Sequence, residues 1–443
     1  MNAFVIGAAT SGSGKTIVTM GLLRAFANLG LKVQPYKCGP DYIESMLHTI
    51  ASGEESINLD TWMASEAHAR HLFNHYGKGH DLGIVEGVMG LYDGYDKSHG
   101  SSGDMAVLLD IPVILVINAK AAAYSVAPII HGLKTFTPAS TQRSKVVGVI
   151  FNMVSSEKHF AELKAACEDA GVPCLGYVTQ RAELQMSGRH FGLTTERKEK
   201  IEKMVEVAAD EVEKHVELNQ LIDTISSSTN FLNDDTVTAF GTERKRQLSE
   251  LDTKRFAVAN DAAFNFTYRA NIDALKRMGE VVFFSPLSDR ALPICDSLYL
   301  PGGFTELFAT ELSRNISMRQ SIKSFAEHGG QIFAECGGFV YLCNSLHGDD
   351  GTIHPMCGIL PLDTTMENAH LHLGYRMMKL GGKVMRGHEF HYSSVMPTDI
   401  KPDGLTIEHC QYSVKGAPVD TPIYRYKNVV AGYTHWYWGE KEV

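Results

Sequence analysis

Hydrophobic residues in this chain gather in short runs separated by longer stretches of mixed polarity. Ala3–Ala8, Leu31–Tyr36, Asp81–Glu86, Val113–Asn118 and Val146–Asn152 have strand length, and the last three close on a polar residue. Runs of this kind, with helical-looking segments between them, predict strands buried on both faces of a parallel sheet. Thr16–Leu29, stopped by Gly30, predicts a helix directly after the first strand and a Gly/Ser loop. Strand–helix alternation brings ligand sites to the carboxyl ends of the strands. From Glu196 to Thr253 the pattern changes: Lys198–Leu221 is charged and helical, Ser226–Thr238 polar, and Glu243–Lys254 charged again. Alternation then resumes, with Arg255–Ala259, Val281–Ser285, Ser297–Leu300 and Gln331–Ala334 as strand candidates. The reading is an α/β chain of two domains, each a mostly parallel sheet flanked by helices. Residues 1–195 and 246–443 form the domains, joined by a helical or linker segment at 196–245.

The length of 443 residues fits this division, because it exceeds what one core usually organises. The net charge of -10, without a lysine- or arginine-rich run, argues against nucleic acid as a partner. It leaves room for an anionic small molecule held by local basic groups. Eight cysteines with no C-x-x-C argue against a disulfide framework and for a reducing, cytoplasmic setting. Residues 1–14 lack the marks of a signal peptide, and no apolar segment is long enough to span a bilayer, so no membrane partner is expected.

Two segments carry chemistry. The first is A-T-S-G-S-G-K-T, Ala9–Thr16, a phosphate-binding loop that differs from the usual wording only in Ala9 for the first glycine. Gly12 and Gly14 allow backbone angles that turn N–H groups, including that of Ser13, toward phosphate oxygens. Lys15 would reach the outer phosphates of ATP and Thr16 its Mg2+. The apolar run Leu82–Val85 ends in Glu86, placed as the second anchor of the metal. Asp41 and Asp93 stand in glycine-bearing loops. Asp41 is a candidate to share the metal and Asp93 to orient a substrate or intermediate, while a turn-forming role is equally open to both.

The second segment is F-A-E-C-G-G-F, Phe333–Phe339, where Cys336 sits on a predicted strand-to-helix elbow. Backbone N–H groups of Gly303, in P-G-G-F, and Gly337 are candidates for an oxyanion hole. A cysteine nucleophile needs a base, and His435, in G-Y-T-H-W-Y, is the candidate. His388-Glu-Phe-His391 falls one residue short of a zinc-protease motif, and no zinc site is expected. ATP use at one end and a nucleophilic cysteine at the other suit ATP activation coupled to ammonia from glutamine.

The wording of these segments goes further. TSGSGKT, VQPYKCGPDYI, NLDTWM, IVEGVMGLYDG, SGRHFGL, VANDAAFNF, FFSPLSD, PGGFTE, FAECGGFVYL, RGHEFHYS and THWYW together resemble the a,c-diamide synthases of tetrapyrrole biosynthesis over nearly the whole chain. That family acts on cobyrinate or hydrogenobyrinate and has a nickel-sirohydrochlorin relative. The resemblance implies a dethiobiotin-synthetase-like P-loop domain and a class I glutamine amidotransferase domain of the cobyric-acid type. It implies Cys336 as nucleophile and His435 as its activator. Asp41, Glu86 and Asp93 match carboxylates for metal and activated substrate, Tyr42 a substrate-site residue, and Asn152 an adenine contact. Ordinary class I glutaminases carry a glutamate two residues after the histidine; here the position is Tyr437, which leaves the orientation of His435 unassigned. Cys38 stands where valine is common, Glu44 where aspartate is common. The implied partners are ATP, glutamine and a corrinoid, with a homodimer expected. Three alternatives stay open: the nickel-sirohydrochlorin enzyme, cobyric acid synthase, and a partitioning-type P-loop switch without glutaminase activity.

Overall fold

A computed structural model of the chain describes residues 1–139, 141–184, 195–228, 254–380, 382–397 and 403–440. The SGRHFGL segment and the expected boundary near residue 245 lie outside them. The described residues divide into two compact units, one up to Ser228 and one from Lys254 onward.

In the first unit, β1 (Asn2–Ala8), β2 (Val33–Cys38), β3 (Ile57–Leu59), β4 (Leu82–Glu86), β5 (Val113–Asn118), β6 (Val146–Val154) and β7 (Cys174–Thr179) make one parallel sheet. Its order is β3-β2-β4-β1-β5-β6-β7. The strands run to one side of β1 through β4 and to the other through β5, which opens a crevice at the carboxyl end of β1. Phe4, Val5, Ile6 and all of Val113–Val116 are fully buried, as a sheet covered on both faces requires. Two strands were not legible as apolar runs. β3 has only three residues, and β7 is interrupted by Gly176 at φ +130°.

The helices are α1 (Lys15–Asn28), α2 (Ile43–Ser52), α3 (Glu66–Gly77), α4 (Ser102–Leu109), α5 (Val126–Thr135), α6 (Glu157–Ala170), α7 (Thr195–His215) and α8 (Leu218–Ser228). Although rich in charge, α7 buries Val205, Ala208, Ala209 and Val212 as one stripe. It approaches α1 so closely that a methyl group at Gly21 would fall 2.6 Å from the Ala208 carbonyl oxygen. Arg24 on α1 reaches Glu202 and Glu206 on α7.

The second unit contains β8 (Lys254–Ala259), β9 (Gly279–Phe284), β10 (Ser297–Leu300), β11 (Gln331–Glu335), β12 (Ser345–His347), β13 (Ile353–Pro355), β14 (Asp363–Thr365) and β15 (His372–Leu380). It continues with β16 (Lys383–His391), β17 (Ser394–Val395), β18 (Leu405–Glu408), β19 (Gln411–Tyr412), β20 (Ile423–Tyr426), β21 (Val429–Gly432) and β22 (His435–Tyr437). The main sheet has the order β18-β20-β21-β11-β10-β8-β9. Its strands from β21 to β9 are parallel, and β20 and β18 extend it antiparallel. The helices are α9 (Arg269–Met278), α10 (Ala309–Arg314), α11 (Ile316–Glu327) and α12 (Gly337–Leu342). Beside this core, β19-β15-β16-β22 form an antiparallel sheet built on the long β15–β16 hairpin. Among the described residues, no helix is long and apolar enough to cross a membrane.

Candidate functional site

The phosphate-binding loop occupies Ala9–Gly14, between β1 and α1. Gly12 and Gly14 have φ +75° and +90°, the region that only glycine enters without strain. At Gly14 space is also decisive: a Cβ would fall 1.8 Å from Asn152 Nδ2. That nitrogen donates to the Ser13 carbonyl oxygen at 3.1 Å, so Asn152, at the carboxyl end of β6, braces the loop. Ser13 Oγ donates to the Thr10 carbonyl oxygen at 2.8 Å. Lys15 Nζ donates to the Met89 carbonyl oxygen at 2.6 Å, and burial lowers its pKa.

Thr16 Oγ1 lies 2.8 Å from Glu86 Oε1 and 3.0 Å from Glu44 Oε1. The register that pairs Lys37 on β2 with Glu86 on β4 sets a buried cation beside these carboxylates. Lys37 Nζ bonds Glu44, lies 3.5 Å from Glu86 Oε1 and donates to the Gly87 carbonyl oxygen at 2.9 Å. From α2, His48 Nε2 comes within 2.5 Å of Glu86 Oε2. Burial by itself would raise the Glu86 pKa, but Lys37, His48 and the Thr16 hydroxyl reverse this and hold it below the ordinary carboxylate range. Glu44 goes the other way: burial and repulsion by Glu86 push it up to about 8 against the pull of Lys37. The lysine pays for its own burial by these two charges and is held above its usual value. The Glu86 carboxylate and the Thr16 hydroxyl are hard oxygen donors of the kind that Mg2+ takes.

The other expected residues of this unit lie close by. Asp41 Oδ1 accepts the Glu44 backbone N–H at 2.8 Å and so ties down the start of α2. Tyr42 is the buried residue between Asp41 and that helix. Asp93 Oδ2 accepts the Gly90 backbone N–H at 2.9 Å, in the loop that follows Glu86. Lys37 and His48 were not anticipated, and Glu44 stood out only as a departure from the family's aspartate. A lysine inside a fully buried strand and a Glu–His pair four residues apart on one helix face were the available signals.

In the second unit, Cys336 joins β11 to α12 at φ +47°, ψ -110°, a strained elbow that pushes the side chain out of the turn. Its N–H donates to the Gly432 carbonyl oxygen at 2.8 Å, and Sγ faces the Phe390 carbonyl oxygen at 3.6 Å. Burial, then Glu306, push the thiol pKa up, and the Gly337 N–H opposes them. A Cβ on Gly302 would fall 2.2 Å from His435 Cε1 and 3.1 Å from Cys336 Cβ, so this glycine lets thiol and imidazole share one pocket. A Cβ on Gly337 would sit 3.3 Å from the Gly303 backbone nitrogen, and the two glycines expected as oxyanion donors are thus neighbours.

His435 is fully buried at the start of β22, where it pairs with His388 on β16. The two rings stack with centroids 5.1 Å apart. Burial takes the His435 pKa down to about 3, and a hydrogen bond to the Phe390 backbone works against that fall. The H-E-x-H segment lies on a strand, so its residues alternate between faces instead of converging as on a helix. His388 Nδ1 meets Tyr268 Oη at 2.9 Å, whereas His391 Nε2 meets Glu389 Oε1 at 2.9 Å. Glu335, the last residue of β11, accepts the Trp436 N–H at 2.8 Å and the Tyr299 hydroxyl at 2.8 Å. Its Oε2 lies 4.0 Å from His435 Nδ1. Burial pushes its carboxyl up to about 8, with those two bonds opposing the rise. Glu335 was overlooked, although it closes an apolar strand as Glu86 does.

Comparison with known proteins covers both units. Residues 4–191 match the CobQ/CobB/MinD/ParA nucleotide binding domain, and residues 255–443 match the CobB/CobQ-like glutamine amidotransferase domain. The cobyrinate a,c-diamide synthase of Picrophilus torridus is 38% identical over 99% of this chain and 96% of its own length. That of Listeria innocua is 38% identical over 90% of this chain and 88% of its own. The hydrogenobyrinate a,c-diamide synthase of Brucella abortus is 38% identical over 89% of this chain and 90% of its own. Identity at this level, over nine-tenths or more of the chain in the first two, shows that the chain belongs to the cobyrinate a,c-diamide synthase family.

Proposed function

We propose that this protein is an ATP- and glutamine-dependent ligase that amidates the a and c acetate carboxylates of cobyrinate in cobalamin biosynthesis. The observation that carries the reading is the presence, in one chain of this family, of a braced phosphate loop facing paired carboxylates and of a cysteine elbow sharing a pocket with a histidine. Residues 1–195 carry the synthase reaction and 246–443 the glutaminase. In the second domain, the Cys336 thiol passes its proton to His435 as Sγ attacks the carboxamide carbon of glutamine. The N–H groups of Gly303 and Gly337 receive the developing oxyanion. The C–N bond breaks, the proton moves to the leaving nitrogen, and ammonia departs. Water then cleaves the thioester to glutamate.

In the first domain, the backbone of Gly12, Ser13 and Gly14 and the Lys15 ammonium cradle the phosphates of ATP. Asn152, whose Nδ2 is committed to Ser13, has its carbonyl oxygen left for the proposed contact with the adenine. Thr16 and Glu86, with Asp41 nearby, would hold Mg2+, which when bound neutralises phosphate charge. Tyr42 and Asp93 position the acetate side chain. A carboxylate oxygen of the acetate attacks the γ-phosphorus of ATP, giving an acyl phosphate and ADP; ammonia then attacks the acyl carbon, loses a proton and expels phosphate, and two rounds yield the diamide. Eight free cysteines support a reducing cytoplasm as its setting, and a symmetric dimer is the expected assembly.

The test is glutamine-dependent amidation with MgATP, run in parallel on cobyrinate and nickel-sirohydrochlorin and read by mass spectrometry. Two successive exchanges of OH for NH2 on cobyrinate alone are expected. The same change on the nickel compound alone would reassign the acceptor. Absence of glutamate release would remove the glutaminase reading.

A further inference from the structure

The geometry points to Glu335 as the positioning residue of His435, doing from the strand before the nucleophile what other class I glutaminases do with a glutamate after the histidine. The inference rests on the glutaminase reading above. The position two residues after His435 is filled by Tyr437, whose ring meets Tyr268 edge-on at 5.3 Å and offers no carboxylate. A base that takes the Cys336 proton becomes an imidazolium until it returns that proton to the leaving nitrogen. His435 is fully buried, and a cation formed there needs an opposite charge close by.

Three carboxylates deserve comparison. Glu389 neighbours Phe390 on β16 and its charge also favours a cationic His435, but its oxygens are engaged by Arg376, His391 and Thr421. Glu440 is exposed near the end of the described chain. Glu335 is buried and places Oε2 4.0 Å from His435 Nδ1. That gap is too long for a hydrogen bond, so Glu335 acts in two other ways. Its Oε1 holds the Trp436 N–H at 2.8 Å, which fixes the backbone next to His435. Once ionised, its carboxylate faces the imidazole across a buried 4.0 Å gap where Coulomb attraction is strong. The Tyr299 hydroxyl fixes the carboxylate itself, and the ring of His388 stacks on that of His435 and limits its rotation.

Glutamine hydrolysis by the full-length protein at about pH 9, where the Glu335 carboxyl is ionised, tests this. Glu335→Gln keeps the size and an acceptor for the Trp436 N–H but removes the charge. The kcat is expected to fall by roughly 100-fold or more, with KM for glutamine within about twofold, because only the charged intermediate stage is affected. Glu335→Asp, which retains the charge, is expected to recover part of that loss. A Gln variant whose kcat stays within about twofold of the unmodified chain overturns the assignment. So does an equal loss in Gln and Asp accompanied by a matching rise in KM, which marks a packing role only. If the unmodified chain itself releases no glutamate, the glutaminase reading fails and this assignment fails with it; an active unmodified chain with an indifferent Glu335 sinks this assignment alone.

Discussion

Glu86 and Glu335 each end a central parallel strand, and each lies beside residues that carry the proposed chemistry, yet their surroundings treat charge in opposite ways. Around Glu86 the protein sustains charge: Lys37, Glu44 and His48 press against it, and Lys37 and Glu86 stay ionised despite complete burial. Around Glu335 it suppresses them. The carboxyl rises to about 8, the His435 pKa falls to about 3, and the Cys336 thiol is pushed up. A site proposed for MgATP would meet charged partners from the start, and a compensated cluster suits them. A site for neutral glutamine needs charge only during reaction, and burial then makes each fixed dipole or carboxylate more effective.

The sharpest way to separate the two regions is Cys336→Ala. Glutamine hydrolysis and glutamine-driven amidation are expected to fall by more than about 1,000-fold, while amidation from added ammonia persists. Loss of both nitrogen sources would break the division of labour. Glu86→Gln is the mirror experiment. Amidation from either source should drop by on the order of 100- to 1,000-fold, since phosphoryl transfer depends on placed charge. Glutamate release should remain, as read by a glutamate assay.

Gly302→Ala probes the shared pocket of thiol and imidazole. A Cβ 2.2 Å from His435 Cε1 displaces the base, and glutaminase kcat should fall by up to about 100-fold, with ammonia-driven synthesis intact. The mildest effect is expected from pH. Glutaminase activity should rise several-fold as pH passes through about 8, because loss of the Glu335 proton creates the anion facing His435. The titratable groups around Glu335 do not compete in that range. Tyr299 is held well above its usual value, Cys336 is pushed up, and His435 and His388 lie far below. Glu335→Gln should lack this rise, and an identical profile in both proteins would contradict the charge role.

Several features were legible because their causes are local. Val113–Asn118 and Ser297–Leu300 were located to the residue, since a continuous apolar run needs no partner to be recognised. Gly12, Gly14 and Cys336 announced themselves by loop wording, and all three have positive φ. The β15–β16 hairpin escaped notice, and H-E-x-H was weighed as a helix motif, because apolar residues there are interleaved with histidine, arginine, lysine and glycine and form no continuous run. Asn152 was expected at the nucleotide base, and its contact with Ser13 depends on β6 lying two strands from β1.

The sequence by itself determined two α/β halves, a phosphate loop with Lys15 and Thr16, and a cysteine elbow with a distant histidine. These follow from apolar run length and from the few residues that tolerate unusual backbone angles, both short-range properties. Only the tertiary structure decided which groups set the charge at each site. Lys37 meets Glu86 because β2 pairs with β4 in one register, and Glu335 meets His435 because β11 ends beside the start of β22. Such meetings depend on strand order and register, which arise from the packing of the whole unit and leave no mark at either residue alone.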